Sequence, residues 1–156
     1  MISLNISPFD TSLVTNMYGM LYNCILIKSL DLSNFNTSLV VDLDGLFYNC
    51  LSLSSLDIRS FGTSLVTDIA YMFCNCQSFR YLNLNHFHTP SINTIRYIFY
   101  NCTSLTSLEL SNFNTSLVTD MKAMLYNCFE LKSLDKNILI LLMLIQWYQC
   151  FILVNH

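Results

Sequence analysis

Two spacings of hydrophobic residues take turns along this chain. In one stretch Leu30 and Leu32 alternate with Ser29, Asp31 and Ser33, and the alternation returns at Leu56 and Ile58, Leu82 and Leu84, and Leu108 and Leu110. A period of two predicts a short strand with one buried face. In the following stretch Val14, Met17, Met20, Leu21 and Cys24 stand three or four residues apart, as do Val118, Met121, Met124, Leu125 and Cys128. That spacing predicts an apolar stripe on a helix of about two to three turns.

The two patterns recur in strict phase. Cys24, Cys50, Cys76, Cys102 and Cys128 are each 26 residues apart, and Phe9, Phe35, Phe61, Phe87 and Phe113 keep the same interval. So do Leu4, Leu30, Leu56, Leu82, Leu108 and Leu134. Self-similarity at a fixed period of this size predicts an α/β solenoid, with one short parallel strand plus one short helix in each 26-residue coil. The cysteines and phenylalanines are expected to be its structural core ladder, since a thiol packs as a small hydrophobe.

Local signals support coil boundaries. Thr11 and Ser12, or Thr115 and Ser116, precede each helical stretch and read as N-caps. Asn23, Asn49, Asn75, Asn101 and Asn127 stand just before the cysteines, where a left-handed residue would let the chain leave the helix. One coil buries too little to pay for ordering itself, so stability must come from coils stacked strand on strand about 4.8 Å apart.

Composition narrows the function classes. Lys and Arg number 7 against 10 Asp and Glu, a net charge of −3, which leaves no basic footprint for nucleic acid or anionic lipid. Hydrophobic residues reach 53 % and charged ones only 11 %, in part because of the last stretch of the chain. The first residues enter in mid-repeat and do not read as a signal peptide. The odd count of 7 cysteines at repeat spacing does not force a disulfide framework, although cysteines of adjacent coils would lie near bridging distance.

The aligned copies read Cys-x-x-Leu-x-x-Leu-x-Leu, and one full copy runs Leu108-Glu109-Leu110-Ser111-Asn112-Phe113-Asn114-Thr115-Ser116-Leu117-Val118-Thr119-Asp120-Met121, then Met124-Leu125-Tyr126-Asn127-Cys128. Over residues 3–135 this closely resembles the BspA-type leucine-rich repeats of bacterial and protist surface proteins. The resemblance implies a curved leucine-rich repeat solenoid with its parallel sheet on the concave side. It also implies display at the cell surface or outside the cell, adhesion or protein binding as the role, and no catalysis. Lacking a signal peptide, a capping module and an obvious anchor, residues 1–135 are expected to be an uncapped fragment of about five coils.

Several residues are candidates for chemistry. Asn5, Asp31, Asp57, Asn83, Glu109 and Asp135 fall between the strand leucines and should form an outward polar column on the concave sheet, flanked by Ser29, Ser55, Tyr81, Ser107 and Ser133. Lys28, Arg80 and Lys132 recur three positions before the column. This column is the expected docking face for a protein ligand. No cysteine has a His or acid at fixed spacing to activate it, so neither a catalytic residue nor a cofactor is expected. Cys74, Cys76, His86 and His88 form the one metal-like grouping, but their spacing is not that of zinc sites, and drift in the fourth copy explains them better. Asn-x-Ser/Thr triplets such as Asn36-Thr37-Ser38 and Asn114-Thr115-Ser116 carry meaning only if the chain is secreted.

After Asp135 the repeat gives way to a tail, 136–156, with an apolar run from Ile138 to Val154 broken by Gln146 and Gln149. Membrane association follows only if this run is a genuine anchor. Back-translation read one base early permits Phe at 139 and the rest of a repeat, so the tail is expected to be an out-of-frame sixth copy. An intracellular leucine-rich repeat scaffold and a non-functional gene fragment are the alternatives to a surface adhesin.

Overall fold

The computed structural model describes residues 4–6 and 8–134. Asp135 and the tail, with the anchor and frame-shift expectations attached to it, lie outside the described residues. Five strands follow in order: β1 Ser29–Asp31, β2 Ser55–Asp57, β3 Tyr81–Asn83, β4 Ser107–Glu109 and β5 Ser133–Leu134. Each begins at the serine or tyrosine before a strand leucine, where the alternating pattern begins. Pairing is parallel at the repeat interval: Leu30 lies opposite Leu56, Leu82 opposite Leu108 and Leu108 opposite Leu134. The strands form two sheets, β1–β2 and β3–β4–β5. A second ladder of single parallel bridges joins Asn16, Asp42, Asp68, Thr94 and Asp120 in an unbroken series.

The expected helices are absent among the described residues, and the backbone hydrogen bonds give the reason. The amides of Met17, Gly19, Leu21 and Asn23 donate to the carbonyls of Asp42, Asp44, Leu46 and Tyr48 in the next coil, at 2.9–3.0 Å. The intervening amides of Met20, Tyr22 and Cys24 donate three residues back, to Met17, Gly19 and Leu21. An α-helix needs successive amides to reach four residues back. Here alternate amides serve the neighbouring coil, so the segment is a run of tight turns. Left-handed residues permit it: Gly19 and Asn23, Gly45 and Asn49, Tyr71 and Asn75, Tyr97 and Asn101, and Ala123 and Asn127 have φ of 49–61°. Glycine and asparagine adopt that region at low cost.

The inward positions nevertheless match the spacing of the sequence. Val40, Leu43, Leu46, Phe47 and Cys50 are all buried, and the rings of Phe47, Phe73 and Phe99 stack with centroids 5.4 and 5.7 Å apart. Cys50, Cys76, Cys102 and Cys128 are buried with Phe35, Phe61, Phe87 and Phe113. Phe9 and Cys24 depart from these ladders. Phe9 is 63 % exposed and Cys24 half-buried, because both belong to the first described coil, which is covered on one side only.

The threonines expected as helix caps have a different task. Thr11, Thr37, Thr63 and Thr89 are buried, and each hydroxyl donates to a carbonyl in the next coil, those of Asn36, Gly62, His88 and Asn114, at 2.7–3.2 Å. The amides of Asn36 and Asn114 in turn donate to Thr11 and Thr89 Oγ1 at 2.8 Å. Local turn closure falls instead to Asn and Asp: Asp10, Asn36 and Asn114 Oδ1 accept from the amides of Ser12, Ser38 and Ser116.

Candidate functional site: the strand face and its opening

The column predicted from the sequence is brought together by parallel register. Asp31 lies beside Asp57, and Asn83 beside Glu109, on one face of the two sheets. Asn5, Asp31 and Asn83 are exposed, and Asp57 and Glu109 half-exposed. Ser29, Ser55, Tyr81 and Ser133 are exposed beside them, and Ser107 half-exposed. Asp135 lies outside the described residues.

The column also has a structural task. Asp31, Asp57 and Asn83 each accept the amide two residues on, those of Ser33, Arg59 and Asn85, at 2.9–3.2 Å. Each thereby closes the turn that ends its strand. Hydrogen bonding from Ser33 holds the Asp31 carboxyl below its usual range. Arg59 acts more strongly, with Nε 3.0 Å from Asp57 Oδ1 and Nη2 2.6 Å from Oδ2, and pulls that carboxyl down to about 2. Glu109 Oε2 accepts from Nδ2 of both Asn83 and Asn85 at 2.9 Å, and Asn83 Nδ2 also donates to the Tyr81 hydroxyl at 3.1 Å. The face is polar and cross-linked by its own side chains.

One interruption stands out. β2 and β3 do not pair, although the turn-side bridges Asp42–Asp68 and Asp68–Thr94 hold the same coils together. The amide of Leu32 reaches Asp57 and that of Leu84 reaches Glu109, both at 3.0 Å, but the corresponding Ile58 amide does not reach Asn83. Leu56, the central leucine of β2, is only half-buried, whereas Leu30, Leu82 and Leu108 are buried. At the foot of the gap stands Phe79, where the other copies carry Ile27, Leu53, Leu105 and Leu131. Its ring packs edge-on to Phe73, with centroids 6.2 Å apart, and takes more room than the aliphatic side chains it replaces.

The gap is an opening of about 570 Å³ lined by Asp31, Asp57, Arg59, Tyr81, Asn83 and His86, over a floor that includes Leu56 and Phe79. Tyr81 is 50 % exposed. His86 Nε2 is buried and has no hydrogen-bond partner among the described residues. Burial holds this imidazole below the usual histidine range, against a hydrogen bond with the Ile58 backbone and the nearby Asp57 carboxylate, which pull the other way. The sequence pattern marks His86 as drift in the fourth copy and does not disclose the opening, whose signal is Phe79 where the other copies carry Ile or Leu.

The cysteine and histidine grouping is dispersed. Cys74 and Cys76 are buried, His86 lines the opening, and His88 is exposed. Among the described residues no group of three His, Cys, Asp or Glu side chains is arranged to hold a metal. The six described cysteines are free thiols. Burial raises Cys50, Cys74 and Cys128 to about 12, and it also pushes Cys76 and Cys102 well above the usual thiol range. A thiol held protonated in this way is a poor nucleophile.

These features define a tandem-repeat protein whose parallel strands present a polar face. The family model described as "Mycoplasma protein of unknown function, DUF285" matches residues 1–102 and again 41–138, and the chain belongs to that family. No curated protein and no solved structure matches the chain.

Proposed function

We propose that the chain is a non-catalytic protein-interaction and adhesion module of a leucine-rich repeat solenoid displayed at the cell surface, docking its ligand on the strand face. The observation that carries this reading is the polar column in strict 26-residue register, where Asp31, Asp57, Asn83 and Glu109 lie beside exposed serines and Tyr81. A periodic face matches a partner that makes extended contact, and polar exposed groups suit a reversible interface. Surface display comes from the resemblance to BspA-type repeats. An intracellular scaffold is the second reading, favoured by the six free thiols; detection of the native chain on intact cells or only after lysis separates the two.

The test uses beads carrying the full chain and cultured epithelial cells. Beads are expected to adhere, adhesion should be lost when the cells are first treated with trypsin, and Ser29→Arg with Ser55→Arg should reduce it at least about tenfold. Ser64→Arg, away from the strands, should leave it unchanged. Equal loss in all variants, or adhesion insensitive to trypsin, overturns the reading.

A further inference from the structure

We propose that the opening between β2 and β3 is a binding site for a neutral saccharide unit. Its volume of about 570 Å³ falls within the range of small-molecule sites, roughly 300–1,000 Å³. It arises where the chain departs from its own repeat, at Phe79 and Tyr81, and where two strands leave each other unpaired.

The lining chemistry selects the ligand class. An anion entering the opening meets the carboxylates of Asp31 and Asp57, while a cation meets the Arg59 guanidinium already seated on Asp57. A neutral ligand that both donates and accepts is opposed by neither. Carboxylate oxygens, the Asn83 side chain and the serine hydroxyls of β1 and β2 offer acceptors, and Arg59 and the serines offer donors. His86 lines the same opening, so its ring lies where a bound ligand would change its surroundings. The half-exposed Tyr81 ring adds an apolar face of the sort that the C–H side of a sugar ring covers. Polyhydroxylated rings combine all of these demands.

The proposal does not depend on protein docking along the strand face: bead adhesion can fail while the sugar site stands, and the reverse. It is tested on the full chain with histidine side chains labelled for NMR, titrated separately with glucose, galactose, mannose, N-acetylglucosamine, lactose and cellobiose. At least one sugar is expected to shift the His86 ring signals saturably in the millimolar range. Two variants that restore the repeat consensus, and so preserve folding, sharpen the test. Tyr81→Ser should weaken that binding at least about tenfold. Phe79→Leu should abolish it and bring hydrogen-exchange protection to β2 and β3 amides, as pairing closes the gap. Absence of any shift with the whole panel in the folded chain overturns the proposal, as does unchanged affinity in both variants.

Discussion

The thiol of Cys102 donates to the backbone carbonyl of Phe73, 3.2 Å away in the preceding coil. Cys50, Cys76 and Cys128 repeat the contact on Leu21, Phe47 and Phe99, at 3.1–3.3 Å. A cysteine at every coil is therefore more than a small hydrophobe, because its S–H adds a second, inter-coil donor to a carbonyl that already accepts the amide of the preceding coil's cysteine.

This arrangement predicts inert thiols. At pH 8, iodoacetamide should leave Cys50, Cys76, Cys102 and Cys128 unmodified in the folded chain, while urea exposes all four; peptide mass mapping reads the result. Alkylation of these residues at the rate of a free thiol without unfolding would contradict the burial that raises all four thiols well above their usual range.

Thr89 gives a second test. Its hydroxyl donates to Asn114 O at 3.2 Å and accepts from Asn114 N at 2.8 Å. Thr89→Val keeps the shape and strands both groups, so it should cost about 1–3 kcal/mol in urea denaturation. Thr89→Ser keeps the bonds and should cost less. A valine variant as stable as the parent would show that water replaces the hydroxyl.

Asp44 sets a pH dependence. Burial, with the carboxylates of Asp68 and Asp42, raises its carboxyl from 3.8 to about 6. The folded chain therefore holds a proton between these values that the unfolded chain has lost. Stability from this group is full below pH 3.8 and lost as pH rises through 6. Asp44→Asn should raise Tm at pH 7 and flatten the Tm profile between pH 4 and 7. Identical profiles for the two chains would remove the effect.

Two glycines should respond in opposite directions. Gly45 has a φ of 60°, so Gly45→Ala is expected to cost about 1 kcal/mol and Gly45→Val more. Gly62 has no such φ and meets only ordinary contacts with Ser38. Gly62→Asn restores the residue found at Asn36 and Asn114, with its bond to the amide two residues on, and should raise Tm. A fall in Tm for Gly62→Asn would mean that this coil refuses the turn its neighbours use.

How far the sequence reveals this fold depends on which physical signal each element leaves. The strands and their register are legible because alternation around Leu30, Leu56, Leu82 and Leu108 fixes both the buried face and the partner 26 residues away. The turn segment is not, because Val40, Leu43, Leu46, Phe47 and Cys50 have helical spacing and are buried as a helix stripe would be. Only backbone conformation separates the two cases. Gly19 and Gly45 carried that signal, since a glycine inside a helix costs about 1 kcal/mol, but Tyr71, Tyr97 and Ala123 take the same left-handed position in later coils and hide it. Tyrosine there has a visible return: Tyr71 stacks on Tyr97 with centroids 4.9 Å apart. The polar column was legible as a surface, whereas its turn-closing bonds and the opening at Phe79 depend on distances that no periodicity encodes.

The inter-coil bonds among the described residues, joining residues 24 to 29 apart, bear on how such a chain can change. Removing or duplicating one whole 26-residue unit returns every donor to an equivalent acceptor, so array length is open to recombination. Removing a single residue displaces the thiol, threonine and strand contacts of its own coil at once and turns the next strand's leucine outward. Selection can therefore vary the number of units far more easily than the length of any one of them, which accounts for a phase held unbroken from Leu4 to Leu134.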